Sequence, residues 1–169
     1  MAIRIILTYP DKFLRQPTKP VLNIDSLIQE LIEDMAETMY EAPGVGLAAI
    51  QVGSDQRVLI YDKLPGEMNR SPEVLINPEI VDSEGEIISQ DEGCLSVPDF
   101  RSDLKRASAV LVEGLDREGK PIQIEAEGYL AIVLQHEIDH LNGKLFIDHL
   151  SALKRELYKR RVNKMLRKK

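Results

Sequence analysis

Apolar residues recur at three- and four-residue intervals from Ile24 to Met39: Ile24, Leu27, Ile28, Leu31, Ile32, Met35 and Met39. Gln29, Glu30, Glu33, Asp34 and Glu37 fill the other face. That period predicts an amphipathic helix with Asn23 as N-cap, ended by Pro43-Gly44. Ahead of it, Arg4–Leu7 reads as a short strand or an arm, and Pro10, Pro17 and Pro20 keep the following chain irregular. Gly44–Gln51 is glycine-punctuated and then apolar. Arg57–Tyr61, Val74–Ile80, Glu86–Ser89, Ala107–Leu115 and Pro121–Ala126 read as short strands. Pro65–Pro72 reads as a loop, Asn77-Pro78 as a break, Ser83-Glu84-Gly85 as a turn and Asp116–Lys120 as a hairpin turn. Gly128 switches the period back. Tyr129–Leu141 is almost continuously apolar up to His136, which predicts a central buried helix stopped by Asn142-Gly143. A last helix starts near Ser151, with Leu153, Leu157, Met165 and Leu166 expected to face inward.

One helix, many short strands and then two helices make an α+β pattern rather than alternating βα units. No repeat, low-complexity tract or linker divides the 169 residues. The expectation is one domain over residues 1–169, with 151–169 as a basic C-terminal helix.

Composition narrows the class. Apolar residues at 43 % and charged residues at 30 % exclude global disorder. No apolar run approaches the ~20 residues of a membrane span. The opening MAIRIILTYPDKF has too short an apolar stretch for a secretory leader and no small-residue cleavage site, so a cytoplasmic protein is expected. A single cysteine, Cys94, excludes a disulfide within the chain. Charge is uneven: Lys154–Lys169 hold nine Lys or Arg and one acid, a net +8, against −14 on the remainder and −6 overall. The tail is either a surface for a polyanionic partner or a solvated helix face.

The chemistry concentrates in His136-Glu137-Ile138-Asp139-His140, an H-E-x-x-H pattern inside the predicted buried helix. Four helical residues advance ~6 Å and ~400°, so both imidazoles project from one face and can grip one divalent metal. Glu137 sits beside them, where a carboxylate can take a proton from activated water. Burying two imidazoles and a carboxylate on an apolar helix without a metal leaves costly groups to satisfy. The third ligand is less local. Phe146 stands where a three-histidine zinc protease would carry its third histidine, which disfavours that class. Glu156 and His149 are downstream alternatives. Cys94, in Gln90-Asp91-Glu92-Gly93-Cys94-Leu95-Ser96-Val97-Pro98, is the remaining candidate, and a thiolate with two imidazoles leaves a fourth position open. Counting back from His136 by three, four and seven gives Val133, Ile132 and Tyr129, which could line an apolar hole of methionine size. Gly44, Gly46 and Gly93 lack side chains, so a peptide backbone could approach them and pair as an added strand.

Three segments together resemble peptide deformylase: Gly44-Val45-Gly46-Leu47-Ala48-Ala49-Ile50-Gln51, then Glu92-Gly93-Cys94-Leu95-Ser96, then Gln135-His136-Glu137-Ile138-Asp139-His140. The resemblance runs from the N-terminus to about Lys154. It implies an α+β fold with antiparallel sheets around the motif helix, and removal of the formyl group from N-terminal formyl-methionine of newly made proteins. It implies Cys94, His136 and His140 as metal ligands, Glu137 as catalytic carboxylate, and Gln51 with the Leu95 N–H at the developing oxyanion. Val45, Gly46, Gly93, Tyr129, Ile132 and Val133 would receive the substrate. One divalent metal per chain is implied, Fe²⁺ in the cell, with Zn²⁺, Ni²⁺ or Co²⁺ as substitutes. The implied partners are N-formylmethionyl peptides and nascent chains, with ribosome contact through the basic tail, and neither DNA nor membrane. At Gln90 the chain departs from the family, where an apolar pocket wall is expected. The rival readings are a zinc endopeptidase on the same helix, and a metal-stabilised binding module without catalysis.

Overall fold

The computed structural model describes every residue except Glu67 and Asn69. Helix α1 (Ser26–Glu41) opens on Asp25, whose carboxylate accepts from the N–H groups of Leu27 and Ile28 at 3.0 and 3.1 Å. The expected cap, Asn23, lies two residues too early, and Asp25 takes the role because its side chain directly precedes the first turn. Four short strands and one long one follow: β1 (Gly46–Ala48), β2 (Val58–Tyr61), β3 (Glu73–Glu84), β6 (Ala109–Leu115) and β7 (Pro121–Glu127). They form an antiparallel sheet in the order β1-β2-β3-β6-β7. β4 (Ile87–Cys94) and β5 (Val97–Arg106) pair antiparallel as a separate two-stranded sheet. Helix α2 (Gly128–Leu141) and helix α3 (Ala152–Arg167) complete the chain.

The five-stranded sheet is covered on both faces, and its sequence shows it. In β2 every residue of Val58-Leu59-Ile60-Tyr61 is buried. Val58 and Ile60 pack with Ile28, Leu31, Ile32, Met35 and Met39 of α1. Leu59 and Tyr61 pack on the other side with Ala131, Leu134, Ile138 and Leu141 of α2. Strand alternation sends successive side chains to opposite faces, so a doubly covered strand reads as a continuous apolar run. α2 lies between this sheet and the β4–β5 ribbon, as expected of a central helix. Gly128 passes the chain from β7 into α2 without a loop, at φ +57°, a conformation that favours glycine.

Several boundaries differ from the sequence reading. Arg4–Leu7 is an arm and not a strand; it is held by Arg4 N–H on Thr38 Oγ1 (2.9 Å) and Leu7 N–H on the Gln51 carbonyl (2.7 Å). Asn77-Pro78 does not break the chain: β3 continues to Glu84 with register shifts after Ile76 and Ile80. Asn77 sits at φ +53° and its amide pairs both with the Val21 N–H (2.8 Å) and with the Val21 carbonyl (2.9 Å), so a bulge absorbs the proline. The strand expected at Glu86–Ser89 extends to Cys94, and β5 was not expected at all, because Asp99–Arg106 is mostly polar and lacks a sustained apolar alternation. The loop expected over Pro65–Pro72 includes Glu67 and Asn69, which lie outside the described residues; the others form turns and irregular chain.

α3 forms, but on a different face from the one expected. Leu153, Leu157, Met165 and Leu166 are exposed, Leu153 to 70 %. Tyr158 and Val162 are the buried residues, packed with Leu14, Val97, Leu104 and Phe146. Tyr158 meets Phe100 at a ring-centroid distance of 4.7 Å and Tyr9 at 5.6 Å. This aromatic cluster, not the leucine edge, anchors the helix to the body. No described helix is long and apolar enough to cross a membrane.

Candidate metal centre

α2 carries His136, Glu137 and His140. The two imidazole Nε2 atoms lie 3.3 Å apart, with the rings edge-on at a centroid distance of 5.0 Å. β4 ends at Cys94, and the tight turn through Leu95-Ser96 into β5 presents the thiol to the helix. Cys94 Sγ is 3.2 Å from His140 Nε2. The ligand atoms of Cys94, His136 and His140 all lie within 4.8 Å of one another. A tetrahedral ion with metal–sulfur ~2.3 Å and metal–nitrogen ~2.0–2.1 Å separates its ligand atoms by about 3.3–3.5 Å, so the cluster fits one such ion.

The electrostatics fit a cation too. Burial disfavours the imidazolium at His136, yet the Cys94 thiol, the Glu92 carboxylate and Glu137 outweigh it and raise this pKa well above its ordinary value. At His140 burial and the neighbouring His136 push the pKa well below it. The Cys94 thiol and the Glu92 and Glu137 carboxylates thus favour positive charge at this point, and a ligating imidazole must itself be neutral.

Glu137 is buried, and burial pushes its carboxyl up to about 7. Its Oε2 and His140 Nδ1 are buried polar atoms without a protein partner among the described residues. Glu137 lies against β1: a Cβ on Gly46 would come within 2.6 Å of Glu137 Oε1, so only glycine allows this approach.

A network that the sequence reading missed backs the histidines. His136 Nδ1 donates to Glu92 Oε1 at 2.6 Å. Arg106 clamps Glu92 through Nη2 (2.5 Å) and Nε (3.0 Å), and its Nη1 reaches Asp139 Oδ2 at 3.0 Å. His149 Nε2 meets the same Asp139 oxygen at 2.8 Å. Burial alone would raise the Glu92 carboxyl, but His136 and Arg106 hold it well below the usual carboxylate range. Glu92 and Asp139 each stand beside a ligand motif, a signal that could have flagged them. Arg106 gave none, because it meets Glu92 only through strand pairing. His149 thus binds a carboxylate and lies outside the metal cluster, and Glu156 is exposed on α3 with Arg160 at 3.5 Å.

Gln51 is buried in a 3-10 turn, Ala49–Val52. Its Oε1 accepts from the Ala48 N–H at 2.9 Å, and its Nε2 donates to Ser96 Oγ at 3.1 Å and faces Cys94 Sγ at 3.8 Å. Gln51, Leu95, Val45, Gly46, Gly93, Tyr129, Ile132 and Val133 line one cavity of about 1040 Å³ together with Cys94, His136 and Glu137. Of the three clustered ligand candidates, His140 does not line it and is buried.

A buried H-E-x-x-H helix facing a cysteine turn, on the wall of a cavity of about 1040 Å³, defines a hydrolase of the metal-site class. A profile of the polypeptide deformylase family matches residues 3–156. A peptide deformylase of Desulfosudis oleivorans is 56 % identical over 167 residues, covering 99 % of this chain and 96 % of that protein. The crystal structure of a peptide deformylase from Legionella pneumophila superposes with a TM-score of 0.90 at 51 % identity, covering 98 % of this chain and 96 % of that one. That of Ehrlichia chaffeensis in complex with actinonin gives a TM-score of 0.88 at 40 % identity, covering 98 % of each. The chain belongs to the polypeptide deformylase family: it is a hydrolase of the formyl amide, in a metal-dependent family that processes newly made proteins.

Proposed function

We propose that Cys94, His136 and His140 hold one divalent ion and that Glu137 carries the proton in hydrolysis of N-formylmethionyl peptides. The observation that supports this most directly is the three-ligand cluster within 4.8 Å beside a buried carboxylate with a free oxygen. When bound, the ion supplies Lewis-acid activation of water and of the formyl carbonyl. Glu137, raised to about 7, accepts a proton from the attacking water and returns it to the leaving α-amine as the formyl C–N bond breaks. Gln51 Nε2 and the Leu95 N–H donate to the oxygen that gains charge. Val45, Ile132, Val133 and Tyr129 take the methionine side chain, while Gly46 and Gly93 let the peptide backbone lie close.

Fe²⁺ is the ion proposed for the cell, because a soft thiolate with two imidazoles accepts it, and Zn²⁺, Ni²⁺ or Co²⁺ would serve in preparations. Residues 1–169 act as one catalytic domain, with 151–169 as a basic helix that contacts the ribosome as chains emerge in the cytoplasm; neither DNA nor membrane is a partner. The test is formate release from formyl-Met-Ala-Ser after anaerobic purification, beside an internal peptide and a chelated sample. Release from the formyl peptide alone, abolished by the chelator, is expected. Cleavage of the internal peptide without formate release would overturn the reading in favour of an endopeptidase.

A further inference from the structure

The cavity wall opposite α2 is built by an irregularity in β4. Pairing steps from Ser89↔Leu104 to Glu92↔Ser102, so Gln90 and Asp91 together oppose Asp103. Asp91 sits at φ +50°. Its N–H donates to Asp103 Oδ1 at 2.7 Å, and its carbonyl accepts from Arg101 Nη1 at 3.2 Å. Side chains thus satisfy both backbone groups that the bulge removes from the ladder, and such bulges beside active sites re-aim a side chain. Ser89 and Glu92 are three residues apart, and in a regular strand they would face opposite ways. The bulge lets both be buried, while Gln90 and Asp91 stay exposed and both line the cavity.

β4 and α2 together wall the pocket. Cys94 meets His140 and Glu92 meets His136, so β4 and α2 advance together, about two strand residues per helical turn. Beyond Glu92 the bulge breaks this step, and the wall continues through Gln90 and Ile88 on β4 and Val133, Ile132 and Tyr129 on α2. All of these line the cavity. Val45, Ile132 and Val133 offer carbon only. Gln90 is exposed and Tyr129 is 56 % exposed, so a carboxamide and a hydroxyl stay open on a wall that also carries Asp91, Asp99 and Arg101.

We infer that Gln90 is a specificity-determining residue that lets the pocket accept an uncharged side chain ending in a hydrogen-bond acceptor, methionine sulfoxide beside methionine. This rests on the deformylase reading above. The thioether packs on the aliphatic wall. The sulfoxide oxygen, costly to bury against carbon alone, accepts from the Gln90 carboxamide, with the Tyr129 hydroxyl as second donor. Oxidised and unoxidised formyl-peptides are then both substrates.

The test compares kcat/KM for formyl-Met-Ala-Ser and its sulfoxide in the metal-loaded enzyme, in the wild type and in Gln90→Leu and Gln90→Glu. The wild type is expected to turn over the sulfoxide within about tenfold of the thioether. Gln90→Leu lowers the sulfoxide-to-thioether ratio about tenfold by removing the donor. Gln90→Glu lowers it as well, because a carboxylate keeps the polarity but cannot donate. The ratio cancels a general loss of active enzyme. Normal thioether turnover with the same ratio in all three proteins overturns the inference alone. No turnover of the thioether peptide by the wild type overturns the deformylase reading, and the inference with it.

Discussion

At the scale of single residues, the candidate site works through close approach. His136 carries on one nitrogen the cluster with Cys94 and His140, and on the other the Glu92 carboxylate. Outer carboxylates of this kind orient a ligating imidazole and raise its basicity. Glu92→Gln is therefore expected to weaken Zn²⁺ binding by about 10–100-fold in a competition titration with a chromophoric chelator. Unchanged affinity would show that the Glu92–His136 contact only fills space. Glu137, His136, His140 and Cys94 were legible as candidates in the sequence because the first three share one H-E-x-x-H segment and the fourth is the only thiol. Glu92 and Arg106 could not be read in the same way. Their contact spans 14 residues and depends on a two-stranded ribbon whose second strand is polar, and no local period announces it. Gln51 was legible only by resemblance, since nothing in its own neighbourhood says that its amide turns toward the cysteine hairpin.

At the scale of elements, apolar period succeeded where one face is buried and failed where packing partners are aromatic or polar. α1 buries Ile28, Leu31, Ile32, Met35 and Met39 of its expected stripe but leaves Leu27 exposed, whereas α3 presents its leucines to solvent because Tyr158 finds Phe100 and Tyr9. The inner face of α1 also holds a charge that hydropathy would not place there. Asp34 is buried, and it accepts from the Ala2 N–H at 2.7 Å and from Arg4 Nε at 2.9 Å. Burial works to raise this carboxyl, but those donors outweigh it and hold its pKa below the ordinary 3.8. A depressed carboxylate adds stability above its unfolded pKa, and that contribution is lost as pH falls through the lower folded value. In urea melts at stepped pH, Asp34→Asn should be less stable than the wild type at neutral pH, and the gap should close as the pH falls below about 4. A gap that stays constant with pH would mean that the arm is held by packing and not by this charge.

At the scale of the whole molecule, two helices clamp a five-stranded sheet, and a ribbon carries the thiol to the second helix. The basic C-terminal helix is joined to this body through Tyr158 and Val162. Truncating it would therefore open a core as well as remove charge. Replacing the exposed Lys154, Arg160, Arg161 and Lys164 with Gln isolates the charge. Ribosome co-sedimentation is expected to fall, with a shallower dependence on salt, while formate release from a short peptide stays at the wild-type level. Equal co-sedimentation of both proteins would remove the ribosome from the proposal.

In the proposed mechanism, one ion held by Cys94, His136 and His140 works with the Glu137 carboxylate as proton carrier. Formate release from formyl-Met-Ala-Ser by Glu137→Gln, beside the wild type and with each brought to one metal per chain, tests it most directly. The variant is expected to load its metal like the wild type yet release formate at least ~10²-fold more slowly, the loss expected when a positioned acid–base group is removed. Wild-type formate release by the metal-loaded variant would contradict it.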